Sequence, residues 1–267
     1  MTCLLLALAC KPVDDGNTAP DDSTIADSAD SADTADSAAE EEGPDCSGGT
    51  GGEVGYSFYE VDGHSYWLYV PPAAQECAPL LLFGHGGNQN GTVRDGFWQD
   101  MMGTLLPYEA EERGFAFMIP FLEDVDGPQE HGWDLGLVDP MVAMIEDASA
   151  RFDIDRNQVM FAGTSAGGHM ACYWGLYEPR GITAVTVMSA GIGGYFDYPE
   201  TEPDPKLPFI VGHDEEDEIV PYRYSKKLAK ELEAHGHEYV FHTMDLGPGG
   251  HGWTHEASTA VLDSWLE

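Results

Sequence analysis

Apolar residues from Gly55 onward fall into short runs that alternate with longer amphipathic stretches. Tyr56–Val61 and Ser65–Val70 are rich in aromatic and β-branched residues and flank Asp62-Gly63, which predicts two strands joined by a tight turn. Leu80–Phe83, Phe115–Pro120, Gln158–Ala162, Ala184–Met188 and Phe209–Val211 are short and almost wholly apolar, and Glu238–Thr243 is extended in character. Helical periodicity covers about 97–112, 138–151, the stretch from Ser165 to Tyr177, Arg223–His235 and His255–Leu266. Strands apolar at every position are buried on both faces, and their alternation with helices predicts a mostly parallel central sheet with helices on both faces. The opening hairpin would add an antiparallel edge.

Ahead of that pattern the chain is different in kind. Residues 1–10, MTCLLLALAC, are apolar but too few to span a bilayer as a helix, so they read as an export signal. Leu8-Ala9-Cys10 resembles the end of a bacterial lipoprotein signal, which implies lipidation at Cys10. Residues 11–45 are mostly Asp, Ser, Ala, Thr and Glu. They carry too little apolar surface to offset the entropy of ordering, and their like charges favour an extended acidic linker. The expected organisation is a lipoprotein-type signal at 1–10, a disordered linker at 11–45 and a folded domain at 46–267. Its location would be extracytoplasmic, in the cell envelope or secreted.

Charge narrows the partners. Asp and Glu number 48 against 11 Lys and Arg, a formal net charge of −37. A surface so acidic repels nucleic acid and anionic headgroups, so no nucleic-acid partner is expected and membrane contact only through the lipid anchor. None of the five cysteines forms a C-x-x-C pair, which argues against zinc and dithiol redox chemistry. In an exported protein Cys46 and Cys77 can bridge the opening of the domain, while Cys172 reads as a small apolar core residue.

Gly163-Thr164-Ser165-Ala166-Gly167 follows one apolar strand and opens a helix. A sharp strand-to-helix turn exposes a serine hydroxyl, its glycines relieve crowding, and the helix N-terminus favours a developing anion. Such a serine needs a base, and the base an orienting acid, later in the chain. Asp214 and Asp217 both follow the Phe209–Val211 strand and compete for the acid. His251 stands in the Gly-rich turn Gly247–Trp253 after the last strand and is the candidate base, ahead of His242 and His255. Oxyanion donors are expected from the Ala166 N–H and from Gly87, with Gly86 next to it, while His85 would brace that loop.

Together these segments resemble the polyhydroxybutyrate depolymerase and feruloyl esterase group of secreted α/β-hydrolases. The likeness is carried by Pro79–Gly91, by Phe152–Met170 with Asp153-Ile154-Asp155 and G-T-S-A-G-G, by Asp217–Pro221 and by Gly249–Trp253. It departs at Gly84, where an apolar residue is usual, and at Thr254, where proline often stands. The resemblance implies the α/β-hydrolase fold, Ser165, Asp217 and His251 as catalytic triad, and an acyl-enzyme on Ser165. It favours Asp217 over Asp214 because Ile219-Val220-Pro221 follows it. The implied substrates are feruloyl or acetyl polysaccharide esters or polyhydroxyalkanoate-type polyesters, small or polymeric. A serine peptidase on the same fold and a silent binding scaffold are the rival readings. No metal or organic cofactor is implied, and the enzyme is expected to be a monomer. Trp98, Trp133 and Trp174 are candidates for lining an aromatic acyl pocket, although core packing is the commoner fate of tryptophan.

Overall fold

The hairpin at the sheet's edge begins with Asp62 and Gly63, whose φ angles of 51° and 81° set the turn between β1 (Gly55–Val61) and β2 (His64–Val70). Positive φ at both turn positions gives the twist that antiparallel partners share. The computed structural model describes residues 43–74, 76–87, 106–121, 133 and 135–266. The remaining elements are β3 (Ala78–Gly84), α1 (Leu106–Arg113), β4 (Ala116–Phe121), α2 (Val138–Arg151), β5 (Ile154–Thr164) and α3 (Ala166–Tyr177). They continue with β6 (Ala184–Met188), β7 (Phe209–Asp214), α4 (Arg223–Ala234), β8 (Tyr239–Met244) and α5 (His255–Leu266).

The strands form one eight-stranded sheet in the order β1-β2-β4-β3-β5-β6-β7-β8. Pairing is antiparallel from β1 to β2 and from β2 to β4, and parallel across the rest. This is the α/β-hydrolase fold. Successive β3 residues serve opposite faces, Leu80 and Leu82 on one and Leu81 and Phe83 on the other. The first face packs against Met141 and Met144 of α2, Trp174 of α3 and Leu228 and Leu232 of α4. The second packs against Leu106 of α1 and Val261 and Leu262 of α5. Burial of these side chains on both faces is the main force holding the layers together. Cys172 is fully buried in the first core, and burial pushes its thiol pKa up. Trp174 is core as well, with Nε1–H donating to the Arg180 carbonyl at 2.9 Å, so it lines no pocket.

Several bounds differ from the sequence pattern. β5 begins at Ile154 rather than near Gln158, because its polar opening is tied to the start of the domain. Asp155 Oδ1 accepts the Asp45 N–H at 3.0 Å, and Cys46 pairs with Asp155 as an isolated antiparallel bridge. Asp153 accepts the Gly48 N–H at 2.6 Å through one oxygen and the Cys77 N–H at 3.0 Å through the other. Asp45, placed in the linker by composition, therefore already belongs to the fold, and Asn157 Nδ2–H reaches the Gly43 carbonyl at 2.9 Å. The expected start at Cys46 moves upstream accordingly. The export signal, Cys10, the linker as far as Glu42, Trp98 and the first part of the 97–112 helix lie outside the described residues. Among the described residues, no helix is long and apolar enough to cross a membrane.

A disulfide joins Cys46 to Cys77, with a sequence separation of 31. Closing a loop of that size stabilises a fold by about 3–4 kcal/mol in the chain-entropy model. Replacing both cysteines by serine is expected to lower the melting temperature by roughly 6–16 °C. Thermal unfolding of the two proteins side by side checks this, and a shift below about 2 °C would mean that the hydrogen bonds to Asp153 and Asp155 hold the segment alone.

Candidate active site

The C-terminal edge of the parallel strands gathers the candidate residues. β5 ends at Thr164, and Ser165 takes φ 55° and ψ −115°, a conformation that L residues rarely adopt. The chain then turns straight into α3. Two glycines permit this: a Cβ on Gly163 would lie 2.1 Å from Gly167 O, and one on Gly167 would lie 2.1 Å from Gly84 O. The elbow is also fastened through its backbone. Ser165 N–H donates to the Met188 carbonyl at 2.9 Å, and the Ser165 carbonyl accepts the His169 N–H at 2.9 Å.

The loop after β3 lies against this elbow. Its His85 carbonyl accepts the Gly167 N–H at 3.0 Å and the Trp133 indole N–H at 2.8 Å. Gly86 abuts the nucleophile candidate, since a Cβ there would sit 3.5 Å from Ser165 Cβ. Gly87 follows it on the same loop, and Ala166, the first residue of α3, is next to Ser165 in the chain. The His85 imidazole is buried, which holds its pKa below the usual range, and its Nδ1 lies 2.8 Å from the Gly86 carbonyl. That geometry suits a brace.

β7 and the loop after it carry both candidates for the acid. Asp214 is the last residue of β7, and its carboxylate accepts the Glu216 N–H at 2.8 Å and the Leu246 N–H at 2.7 Å. These bonds hold its pKa below the usual carboxylate range, and they join the ends of β7 and β8. Asp217 is turned the other way. Its Oδ1 accepts the Ile219 and Val220 N–H groups at 2.8 Å each, and its Oδ2 lies 2.8 Å from His251 Nδ1. A carboxylate only accepts, so His251 donates from Nδ1 and leaves Nε2 free to take a proton.

The base loop is locked to both neighbours. Glu218 N–H donates to the Gly249 carbonyl at 3.1 Å, and Ser189 Oγ contacts Gly252 N at 3.2 Å and Gly252 O at 3.3 Å. Gly250, at φ 60°, packs so closely that a Cβ would meet Asp217 N at 2.6 Å. The Asp217 side chain is 0% exposed and that of His251 is 14%, so the carboxylate is sealed while the imidazole keeps an opening to solvent. His255 lies elsewhere, 3.9 Å from Glu109, and His242 contacts Ser264 at 3.1 Å. Neither competes for Asp217.

Three contributors escaped the sequence reading. Ser189 clamps the base loop, as just described. His213 places Nε2 3.0 Å from Asp217 Oδ2. His169, one turn into α3, sets Nδ1 2.8 Å from the Gly191 carbonyl, and burial lowers its pKa to about 4. Its neighbour in the sequence, the S-A-G-G run, was the available signal. Among the described residues, no group of three His, Cys, Asp or Glu side chains is disposed to hold a metal ion.

A serine at a sharp elbow, a carboxylate-bound imidazole and backbone N–H groups at a helix start are the parts needed for acyl transfer. A family model described as phospholipase/carboxylesterase matches residues 74–258. The chain belongs to the phospholipase/carboxylesterase family. Members of this family are serine ester hydrolases. Acyl-protein thioesterase 1 of Emericella nidulans is 29% identical over 106 residues, covering 34% of this chain and 44% of that protein. The match thus spans less than half of the curated relative's length. Among solved structures, an acetyl ester-xyloside bifunctional hydrolase from Caldicellulosiruptor lactoaceticus has a TM-score of 0.56 at 17% identity, covering 81% of this chain and 95% of that one. A lipase/esterase from Lactobacillus plantarum also has a TM-score of 0.56, at 16% identity, over 80% and 98% of the two chains. At such identities these neighbours show the fold alone.

Proposed function

We propose that this protein is an extracytoplasmic serine esterase that cleaves carboxylic esters through an acyl-enzyme on Ser165. The observation that carries the reading is the 2.8 Å contact between His251 Nδ1 and the buried Asp217 carboxylate, on the same sheet edge as the Ser165 elbow. Ser165 Oγ attacks the ester carbonyl while His251 Nε2 takes its proton. The tetrahedral oxyanion is held by the Ala166 and Gly87 N–H groups. His251 then returns the proton to the leaving alcohol, and a water molecule, activated by the same imidazole, releases the acid. Asp217 accepts from His251 Nδ1–H and keeps the imidazole in the tautomer that can act.

The substrate class we propose is acetyl or feruloyl esters of polysaccharide, or polyhydroxyalkanoate-type polyesters. Neutral substrates suit a chain of net charge −37 better than anionic ones do. The likeness to an acyl-protein thioesterase supports a second reading, in which the acyl group is carried on sulfur. One purified preparation assayed on short-chain nitrophenyl esters, methyl ferulate, acetylated xylan, an acyl thioester and peptide anilides tests all of these. Turnover of anilides without esters would overturn the esterase reading. Turnover of the thioester alone would favour the second.

The location is a separate part of the proposal. Cys10 would be the lipidated first residue, with the acidic segment as a stalk. Several acyl chains on one residue anchor firmly, so the full-length protein is expected in the membrane fraction and its Cys10→Ser variant outside it. A full-length protein that stays soluble and keeps Met1 would overturn the anchor and leave the chemistry untouched.

A further inference from the structure

Asp217 holds more donors than the orientation of one imidazole requires. Besides the two backbone N–H groups on Oδ1 and His251 on Oδ2, His213 Nε2 reaches the same Oδ2 at 3.0 Å. The geometry fixes the tautomer of this second histidine. Nε2 faces two groups that can only accept, Asp217 Oδ2 and the Val220 carbonyl, the latter also at 3.0 Å, so Nε2 carries the hydrogen. Nδ1 is buried and has no hydrogen-bond partner among the described residues. A proton on Nδ1 would meet no acceptor in a side chain that is 0% exposed.

The groups facing His213 are few. Asp217 and His251 come from the acid and base loops, and Asp214 is next along β7. The Tyr222 ring meets it edge-on at 5.6 Å, and His169 stands beyond it on α3. Burial outweighs the carboxylate and keeps the imidazole pKa below its usual value. His213 is therefore a neutral, immobile N–H donor, neither an acid nor a base for the reaction.

We propose that His213 is a positioning residue that tunes the base through the oxygen it shares with His251. This rests on the triad reading above. Its N–H holds Oδ2 in place opposite His251 Nδ1. It also takes up part of the negative charge that would otherwise stabilise the imidazolium formed in the transition state. A base moderated in this way accepts the Ser165 proton and still gives it up to the leaving alcohol, whereas an imidazolium held too strongly would be slow to return it. Without the second donor the carboxylate holds imidazolium more tightly and less squarely.

Three variants separate that role from mere packing. His213→Gln sets an amide N–H near the Nε2 position, His213→Asn sets one near Nδ1 and short of Asp217, and His213→Leu has none. Each is assayed for kcat and KM across pH on a nitrophenyl ester, with thermal unfolding alongside. For Asn and Leu we expect kcat to fall about tenfold at little-changed KM, and the acid limb of kcat/KM to move up by about one pH unit. Gln should stay within about threefold of the parent with its acid limb in place. An Asn or Leu variant with an unmoved acid limb would overturn the proposal even if slow, and so would a Gln variant that behaves like Asn. Should Leu fail to fold, the Gln and Asn pair decides alone. Failure of the triad reading is distinguishable, because Ser165→Ala would then remain active in the same assay.

Discussion

Ser165→Ala is expected to lower ester turnover by about 10⁴-fold or more without unfolding the protein. The two hydrogen bonds that hold the elbow, to the Met188 carbonyl and from the His169 N–H, belong to the backbone and survive the change. Alanine tolerates a φ of 55° about as poorly as serine does, so the melting temperature should stay near that of the parent. What disappears is the oxygen proposed to form the acyl-enzyme. Steady-state assay on a nitrophenyl ester, paired with thermal unfolding, reads both quantities. Activity above about a tenth of the parent would remove Ser165 as nucleophile.

Asp217→Asn should cost a comparable factor, about 10⁴ in kcat, and for a reason the hydrogen bonds make explicit. If the amide oxygen keeps the Ile219 and Val220 N–H groups, the amide NH₂ points at His251 and His213, where two other donors already aim. If the amide turns over, its NH₂ faces two backbone donors instead. The first arrangement is the one that can relax, because His251 can move its hydrogen to Nε2 and accept the amide N–H at Nδ1, and that tautomer cannot take a proton from Ser165. Asp214→Asn is the control. Its carboxylate joins Glu216 and Leu246, so the change should cost about 1–3 kcal/mol of stability and leave kcat within a few-fold. A larger loss of turnover in Asp214→Asn than in Asp217→Asn would transfer the acid's role to Asp214.

Much of the architecture could be read from the chain because its strands are apolar on both faces. Ala184–Met188 and the helix His255–Leu266 have the bounds that the pattern predicts. The opening of β5 escaped, since Asp155, Arg156 and Asn157 look like a loop. They become strand only by pairing with a segment more than a hundred residues upstream, which no local pattern can record. Local pattern alone does not separate Asp214 from Asp217, for a similar reason, and Asp217 is favoured only through Ile219-Val220-Pro221 and the resemblance. Both follow Phe209–Val211 in an acidic run, and only the strand's continuation through Asp214 turns the two carboxylates to different partners. His213 lay in that same run. Its pairing with Asp217 depends on the loop's fold-back, in which the Val220 carbonyl meets the same nitrogen.

The elbow at Ser165 has a consequence for how this protein can change. A non-glycine residue held at φ 55° and ψ −115° costs on the order of 1–3 kcal/mol, and the surrounding backbone is too closely packed at Gly163 and Gly167 to relax it. Glycine would occupy the position without that penalty. The residue proposed to do the chemistry is thus one that the fold would be more comfortable without. Selection for robustness alone would favour a chain that keeps the scaffold and drops the nucleophile, so only the demand for catalysis keeps a serine at this point.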